Sequence, residues 1–273
     1  MKTGLLNIAL LTGICCQAQI IHPPAGSDFT GAGAYSVRFM DVFSGRANQA
    51  ALARLTGFSA GIAAEKKFLL KELNNYTVAI GIPLKGGGLG LYASYSGEAA
   101  FHASQAGIGY GKRLGKVDLG IQFNYHSLQI AGYGKAAAAG IELGTTWHIS
   151  DRLHTGIQIV NPAGGKFGRH KEEQLPAVYN IGAGYEVSDQ LLFHAILSKG
   201  TQQPVNVGVG LQYRVAERLL ARAGINTATT TPYIGFGWKW FDYSVSITGS
   251  YHPQLGFTPT LIIIFDNNNG SGG

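Results

Sequence analysis

Charge is scarce in this 273-residue chain: Asp, Glu, Lys and Arg together make up only 13% of it. A soluble domain carries about 25%, so a water-facing surface built from this sequence would be poorly solvated. No run of about 18 apolar residues exists, which excludes a spanning helix. Glycine is plentiful, with 40 residues, about twice its usual share. It follows no Gly-X-Y period, which excludes collagen. The 13 Tyr and 13 Phe are too many for a disordered chain. What is present is a glycine-rich, aromatic, weakly charged β-protein.

Cysteine is limited to Cys15 and Cys16. Both lie in an N-terminal targeting pattern, in which Met1-Lys2 is the positive start and Leu5 to Cys16 (LLNIALLTGICC) the apolar stretch. Small residues before position 19 predict cleavage between Ala18 and Gln19, so residues 1–18 read as a signal peptide. Ile14 is too bulky for the position before a lipoprotein cysteine. The remaining chain then lacks cysteine, which excludes disulfides, thiolate catalysis and cysteine zinc sites. The formal net charge is +6, yet Lys66-Lys67, Lys112-Arg113 and the Lys166–Lys171 stretch are isolated clusters. They form no basic block, so a nucleic-acid partner is not expected.

Successive residues of a strand point to opposite faces. From Val117 to Tyr125, one face carries Val117, Leu119, Ile121, Phe123 and Tyr125; the other carries Asp118, Gly120, Gln122, Asn124 and, just beyond, His126. The same alternation runs through 141–149, 205–215, 234–240 and 243–251. A soluble sandwich would place Lys and Glu on its wet face. Here that face carries Gly, Asn, Gln, Ser and His, which suits a narrow barrel interior. Fourteen such segments are predicted: 58–67, 75–84, 87–97, 102–114, 116–130, 136–149, 153–161, 176–187, 191–199, 204–215, 219–227, 232–240, 242–251 and 257–265. An even count of strands about ten residues long fits a transmembrane barrel.

The connections are sorted by length. Lys85-Gly86, Gly115-Lys116 and Phe241-Asp242 are tight, whereas Gly97–Phe101, Ile130–Lys135, Asn161–Leu175, Gly200–Gln203 and Tyr251–Gly256 are longer. Short inner turns alternating with longer outer loops belong to outer-membrane barrels. The expected fold is therefore an all-β, 14-stranded antiparallel transmembrane barrel over residues 58–266, in the outer membrane of a Gram-negative bacterium. Residues 19–57 lack period-2 alternation and read as an N-terminal hatch, with Asn48 as N-cap of a helical turn over Ala47–Leu55. Residues 267–273 read as a flexible polar tail.

The stretch from Gly31-Ala32-Gly33-Ala34, through Asp41 and Ser44, to Asn48-Gln49-Ala50-Ala51-Leu52-Ala53 resembles the hatch of FadL-like barrels, in particular the PorV/PorQ branch of Bacteroidota. Gln49 stands where that motif has proline. The resemblance implies an outer-membrane barrel with an N-terminal hatch, and hatch-motif roles for Asp41, Asn48, Gln49, Ala50 and Leu52. It also implies one of two functions: an accessory of type IX secretion or surface attachment, or a passive transporter of hydrophobic small molecules.

The GxG repeats at 107–111, 182–184, 208–210 and 235–237 lie inside strands and precede no helix, so they are not nucleotide loops. By alternation His126, His148, His154 and His194 face inward. With Asp118, Glu142, Glu186, Arg214 and Lys239 they are expected to form a lumenal polar network. His126, Ser127 and Glu142 are the one set that suggests a hydrolase, but it is not the expected reading, because consecutive residues face opposite sides. No HxH or HExxH spacing suggests a metal, and no cofactor is expected. His252, Pro253, Leu255 and Phe257 join the last two strands as a stiff outer loop suited to docking. The primary expectation is thus a non-enzymatic docking component with a membrane or secreted protein partner; the alternative is passage of a hydrophobic ligand through a lipid-embedded barrel.

Overall fold

A computed structural model describes residues 25–167, 173–201 and 203–267. The expected signal peptide, residues 19–24 and the tail beyond 267 lie outside the described residues. The chain forms β1 (Phe58–Lys66), β2 (Asn74–Leu84), β3 (Gly87–Glu98), β4 (Phe101–Leu114), β5 (Val117–Ile130), β6 (Gly134–His148) and β7 (Leu153–Val160). A small ribbon of β8 (Lys166–Phe167) and β9 (Glu173–Gln174) follows. Then come β10 (Val178–Glu186), β11 (Leu191–Gly200), β12 (Asn206–Ala216), β13 (Leu219–Asn226), β14 (Thr231–Trp240), β15 (Tyr243–His252) and β16 (Gly256–Asn267).

All strands except β8 and β9 pair with their neighbours into one closed antiparallel barrel, so it has fourteen strands. Closure is made by β1 against β16, with Phe58 opposite Asn267 and Glu65 opposite Thr260. Closure leaves no unpaired edge, which is the condition for a sheet to sit in lipid. Alternation sets the two surfaces. On β5, Asp118, Gln122, Asn124 and His126 are buried while Leu119, Phe123 and Tyr125 are exposed. On β14, Tyr233 is buried and Ile234, Phe236 and Trp238 are exposed.

The exposed exterior is apolar and ends in two aromatic girdles. All three tryptophans, Trp147, Trp238 and Trp240, lie at the short-turn end with Tyr185 and Tyr243. Tyr76, Tyr95, Tyr179, Tyr251 and Phe257 mark the other end. Aromatic rings at both rims of an apolar band are the surface a bilayer requires.

Strand ends differ from the sequence reading by one or two residues, and one difference changes an inference. The expected loop Gly97–Phe101 is mostly strand: β3 runs to Glu98 and β4 starts at Phe101. Gly97 takes a φ of 101° there, a conformation open to glycine, and still pairs with His102. Likewise β6 begins at Gly134, so only 131–133 of Ile130–Lys135 lie outside the sheet. The length difference between the two ends therefore resides chiefly in 67–73 and 161–177.

Candidate functional site

Residues 25–57 line the inside of the barrel as a string of short helical turns: Ser27–Thr30, Gly31–Tyr35, Ser44–Ala47 and Gln49–Arg54. No turn is long enough to be stable alone; each is held by the wall. Phe29, Tyr35, Val42, Phe43, Ala50 and Leu52 of this inner segment are buried. The inward glycines are where its backbone meets the wall. A β-carbon on Gly111 would stand 2.8 Å from the Leu52 β-carbon. One on Gly184 would overlap the Tyr35 carbonyl. Close backbone approach thus explains glycine at these inward positions.

The motif residues build local geometry. Asp41 Oδ1 accepts from Phe43 N at 2.9 Å and Ser44 N at 3.0 Å, opening the turn Ser44–Ala47. Asn48 Oδ1 accepts from Ala50 N at 3.0 Å and so caps Gln49–Arg54. Asn48 Nδ2 donates to the Thr145 carbonyl of β6 at 3.1 Å. Gln49 Nε2 donates to Glu142 Oε2 at 2.5 Å, a bond that a proline there could not make. Leu52 fits against the inward glycines of β3 and β4. Burial pushes the Asp41 carboxyl up, opposed by the Arg222 guanidinium. Burial likewise pushes the Tyr35 phenol up to about 12.

The inward polar residues of the wall divide into three groups. At the short-turn end, Asp118 is paired with Arg54 at 2.5 Å and with His148 at 2.7 Å. His148 Nδ1 meets His154 Nδ1 at 2.9 Å, and His154 Nε2 lies 3.5 Å from Glu186. Glu186 is ion-paired with Arg38 and accepts from Ser36 Oγ at 2.7 Å and Val37 N at 2.8 Å. Arg214 stands over the Phe39 ring at 4.3 Å and donates to the Arg38 carbonyl. In the centre, Glu142 accepts from Asn124 at 2.7 Å, from Gln158 at 3.2 Å and from Gln49. Arg46 Nη2 donates to Gln105 at 3.1 Å, and buried His126 lies on the same wall. On the opposite side, His194 meets the Tyr233 hydroxyl at 3.4 Å.

Lys239 points inward by alternation but is exposed at the end of β14. No hydrogen bond or ion pair ties its side chain to these groups among the described residues. In the outer loop, His252 Nδ1 accepts from Gln254 N and Leu255 N, both at 3.2 Å, and its ring meets Phe68 edge-on at 5.9 Å. Leu255 and Phe257 are exposed and Pro253 tops the turn. Alternation alone missed Arg38, Arg46 and Arg54. Their signal was the appearance of three arginines in a segment otherwise poor in charge.

Apolar side chains also line part of the lumen. Ala63 of β1, Ala79 of β2, Tyr92 of β3, Tyr233 of β14 and Ile262 and Ile264 of β16 form one cluster with Phe29, Val42, Phe43 and Leu52. Nearer the long-loop end, Leu128 and Ala138 cluster with Phe167 and Leu175, and Phe101 packs against them.

This geometry defines a closed membrane-type barrel with an occupied lumen. The fold is that of FadL-like outer-membrane barrels. The chain is similar to a Pseudomonas aeruginosa FadL homologue at a TM-score of 0.61 and 11% identity, over 91% of this chain and 100% of that one. It is similar to CymD, a monoaromatic hydrocarbon channel, at a TM-score of 0.59 and 11% identity, over 84% and 94% of the two chains. It is also similar to a deltaS2S3 mutant of TodX, another monoaromatic hydrocarbon channel, at a TM-score of 0.60 and 12% identity, over 82% and 93%. No family profile matches the sequence, and no curated protein matches it by sequence.

Proposed function

We propose that the chain is a non-enzymatic outer-membrane barrel that passes hydrophobic small molecules, with residues 25–57 acting as its hatch. The observation that carries this reading is the apolar side of the lumen, where Ala63, Ala79, Ile262 and Ile264 face inward. A water-filled porin has a polar interior, so inward aliphatic wall residues favour an apolar solute. A second apolar cluster around Leu128, Phe167 and Leu175 lies nearer the long-loop end, where such a solute would arrive. The fold shared with two hydrocarbon channels supports the same direction. The secretion-accessory reading, and with it the PorV/PorQ and Bacteroidota assignment, draws no support from these likenesses.

The deeper apolar patch is covered by Phe29, Val42, Phe43 and Leu52 of the inner segment. Passage therefore requires that segment to shift. The test is uptake of radiolabelled toluene by a Gram-negative host expressing the chain in its outer membrane. Uptake several-fold faster than with an empty vector is expected. Equal rates with folded barrel present in the outer membrane would overturn the reading.

A further inference from the structure

Arg222 of β13 points into the lumen and is only 6% exposed. No carboxylate pairs with it among the described residues. Its Nε has no hydrogen-bond partner there, and its Nη2 reaches Ser246 Oγ of β15 at 3.5 Å. The Phe29 ring covers one face of the guanidinium, 5.7 Å away. Asp41 acts on it through space, but Asp41 Oδ1 already accepts from Phe43 N, Ser44 N and Ser44 Oγ within its own turn. A guanidinium keeps its charge inside a protein. Buried without a contacting anion, such a charge is strongly destabilising.

Strand register builds a notch around this arginine. Arg222 stands opposite Gly235 of β14, and Gly235 opposite Thr248 of β15. One row nearer the short turns, Gly237 stands between Leu220 and Ser246. The two glycines leave the wall bare between a guanidinium on one side and two hydroxyls on the other. A β-carbon on Gly235 would lie 2.3 Å from Thr248 Oγ1 and 3.0 Å from Arg222 Cγ, so a side chain there would fill the notch. Thr248 is 1% exposed, and its Oγ1 has no hydrogen-bond partner among the described residues. Arg222 Nε and Thr248 Oγ1 are therefore two unused donors flanking one glycine. The next inward residues, half-buried Ser244 and exposed Lys239, lead from the notch to water at the short-turn end. The carboxylate at that end, Asp266 of β16, is bonded to Ser59 Oγ.

We propose that Arg222, Thr248 and Ser246 form a binding site for a small free oxyanion, reached from the short-turn side past Lys239. The occupant supplies the negative charge that Arg222 lacks. An edge of a guanidinium matches two oxygens of one anion, and the hydroxyls of Thr248 and Ser246 donate from across the glycine row. Phe29 and Asp41 stand over the notch from the inner segment, which limits the occupant to a few atoms. The Asp41 carboxylate also favours a singly charged anion over a doubly charged one. Lys239 then has a role that its position alone does not explain: it is a cation at the entrance, tied to no partner among the described residues, that draws anions inward.

Thermal unfolding of the purified full chain in uncharged detergent tests this. Chloride is replaced stepwise by formate, a two-oxygen monoanion, at constant ionic strength. A ligand held by the folded state alone raises the unfolding midpoint with the logarithm of its concentration, by about 3 °C per tenfold step beyond saturation. That rise is expected for the wild type. Arg222→Met removes the cation and is expected to give no rise. Gly235→Ala fills the notch while keeping Arg222 and is expected to give none either. A wild-type midpoint that does not move overturns the proposal, whether or not the variants fold. A rise of equal size in the wild type and in Arg222→Met is a general salt effect and overturns it too. Neither outcome depends on whether the lumen passes a solute.

Discussion

The Gln49 carbonyl rests directly on Gly120 of β5, leaving no room for a β-carbon there. The contact is backbone on backbone, so no flexible side chain can move aside to relieve it. Gly120→Val is therefore expected to displace the turn Gln49–Arg54. Overpacking of this kind costs about 1–3 kcal/mol. Gly200→Ala is the control, because its new methyl group would meet only the flexible Gln203 side chain, at 3.2 Å and beyond. Urea unfolding in detergent micelles checks the pair: a clear loss at Gly120 and little change at Gly200 are expected.

Arg54 and Asp118 form a half-buried ion pair, with side-chain exposures of 21% and 1%. Removing one partner of a buried pair leaves an uncompensated charge and costs about 3 kcal/mol. Arg54→Ala is expected to show most of that loss, since Asp118 then keeps only His148. Asp118→Asn is expected to cost less, because it leaves a neutral group and Arg54 can turn toward water. A double variant close to the worse single one, rather than the sum, would establish the coupling; additive losses would refute it.

Asn48 acts at both ends of its side chain. Its oxygen caps Gln49–Arg54 and its nitrogen donates to the Thr145 carbonyl. Asn48→Ala removes both and is expected to cost about 2 kcal/mol, from about 1 for the cap and about 1 for the wall bond. Asn48→Asp keeps the cap acceptor but turns an acceptor toward Thr145, so it loses the second contribution and adds repulsion. Both variants are expected to be less stable in the same urea assay. Wild-type stability in Asn48→Asp would show that the Thr145 bond does not hold the segment.

The barrel was readable because alternation on strands such as β5 reports two solvents, lipid for Phe123 and a polar lumen for Gln122. Strand ends were less readable: Glu98 and Phe101 lie in a stretch with the composition of a loop and yet pair with each other between β3 and β4. Most obscured was the inner segment. It has no period of its own, since its turns are shaped by the wall, and its tethers span long separations. Arg38 reaches Glu186, and Arg54 reaches Asp118, with nothing local to announce either. Alternation could assign His148 and His154 to the lumen, but only the register of β6 against β7 brings them opposite each other. The same rule misplaced the environment of Lys239, which faces inward at a level where the lumen has already opened to solvent.

Phe123 offers a direct test of the bilayer reading. It lies midway along β5, points outward and is 53% exposed. In a membrane, an arginine at mid-depth on the lipid face costs about 2–4 kcal/mol, falling to about 0–1 near the interface. Phe123→Arg is therefore expected to fold poorly into lipid vesicles, while Tyr251→Arg, at the end of β15, is expected to fold nearly as wild type. A barrel surrounded by water would give the reverse sense, since charge on an apolar exterior aids solvation there. Folding efficiency into vesicles, read from the shift of the compact band on unheated gels, separates the two. Equal folding of both variants would count against a lipid-facing wall at Phe123, and the depth dependence between them would locate the middle of the membrane along β5.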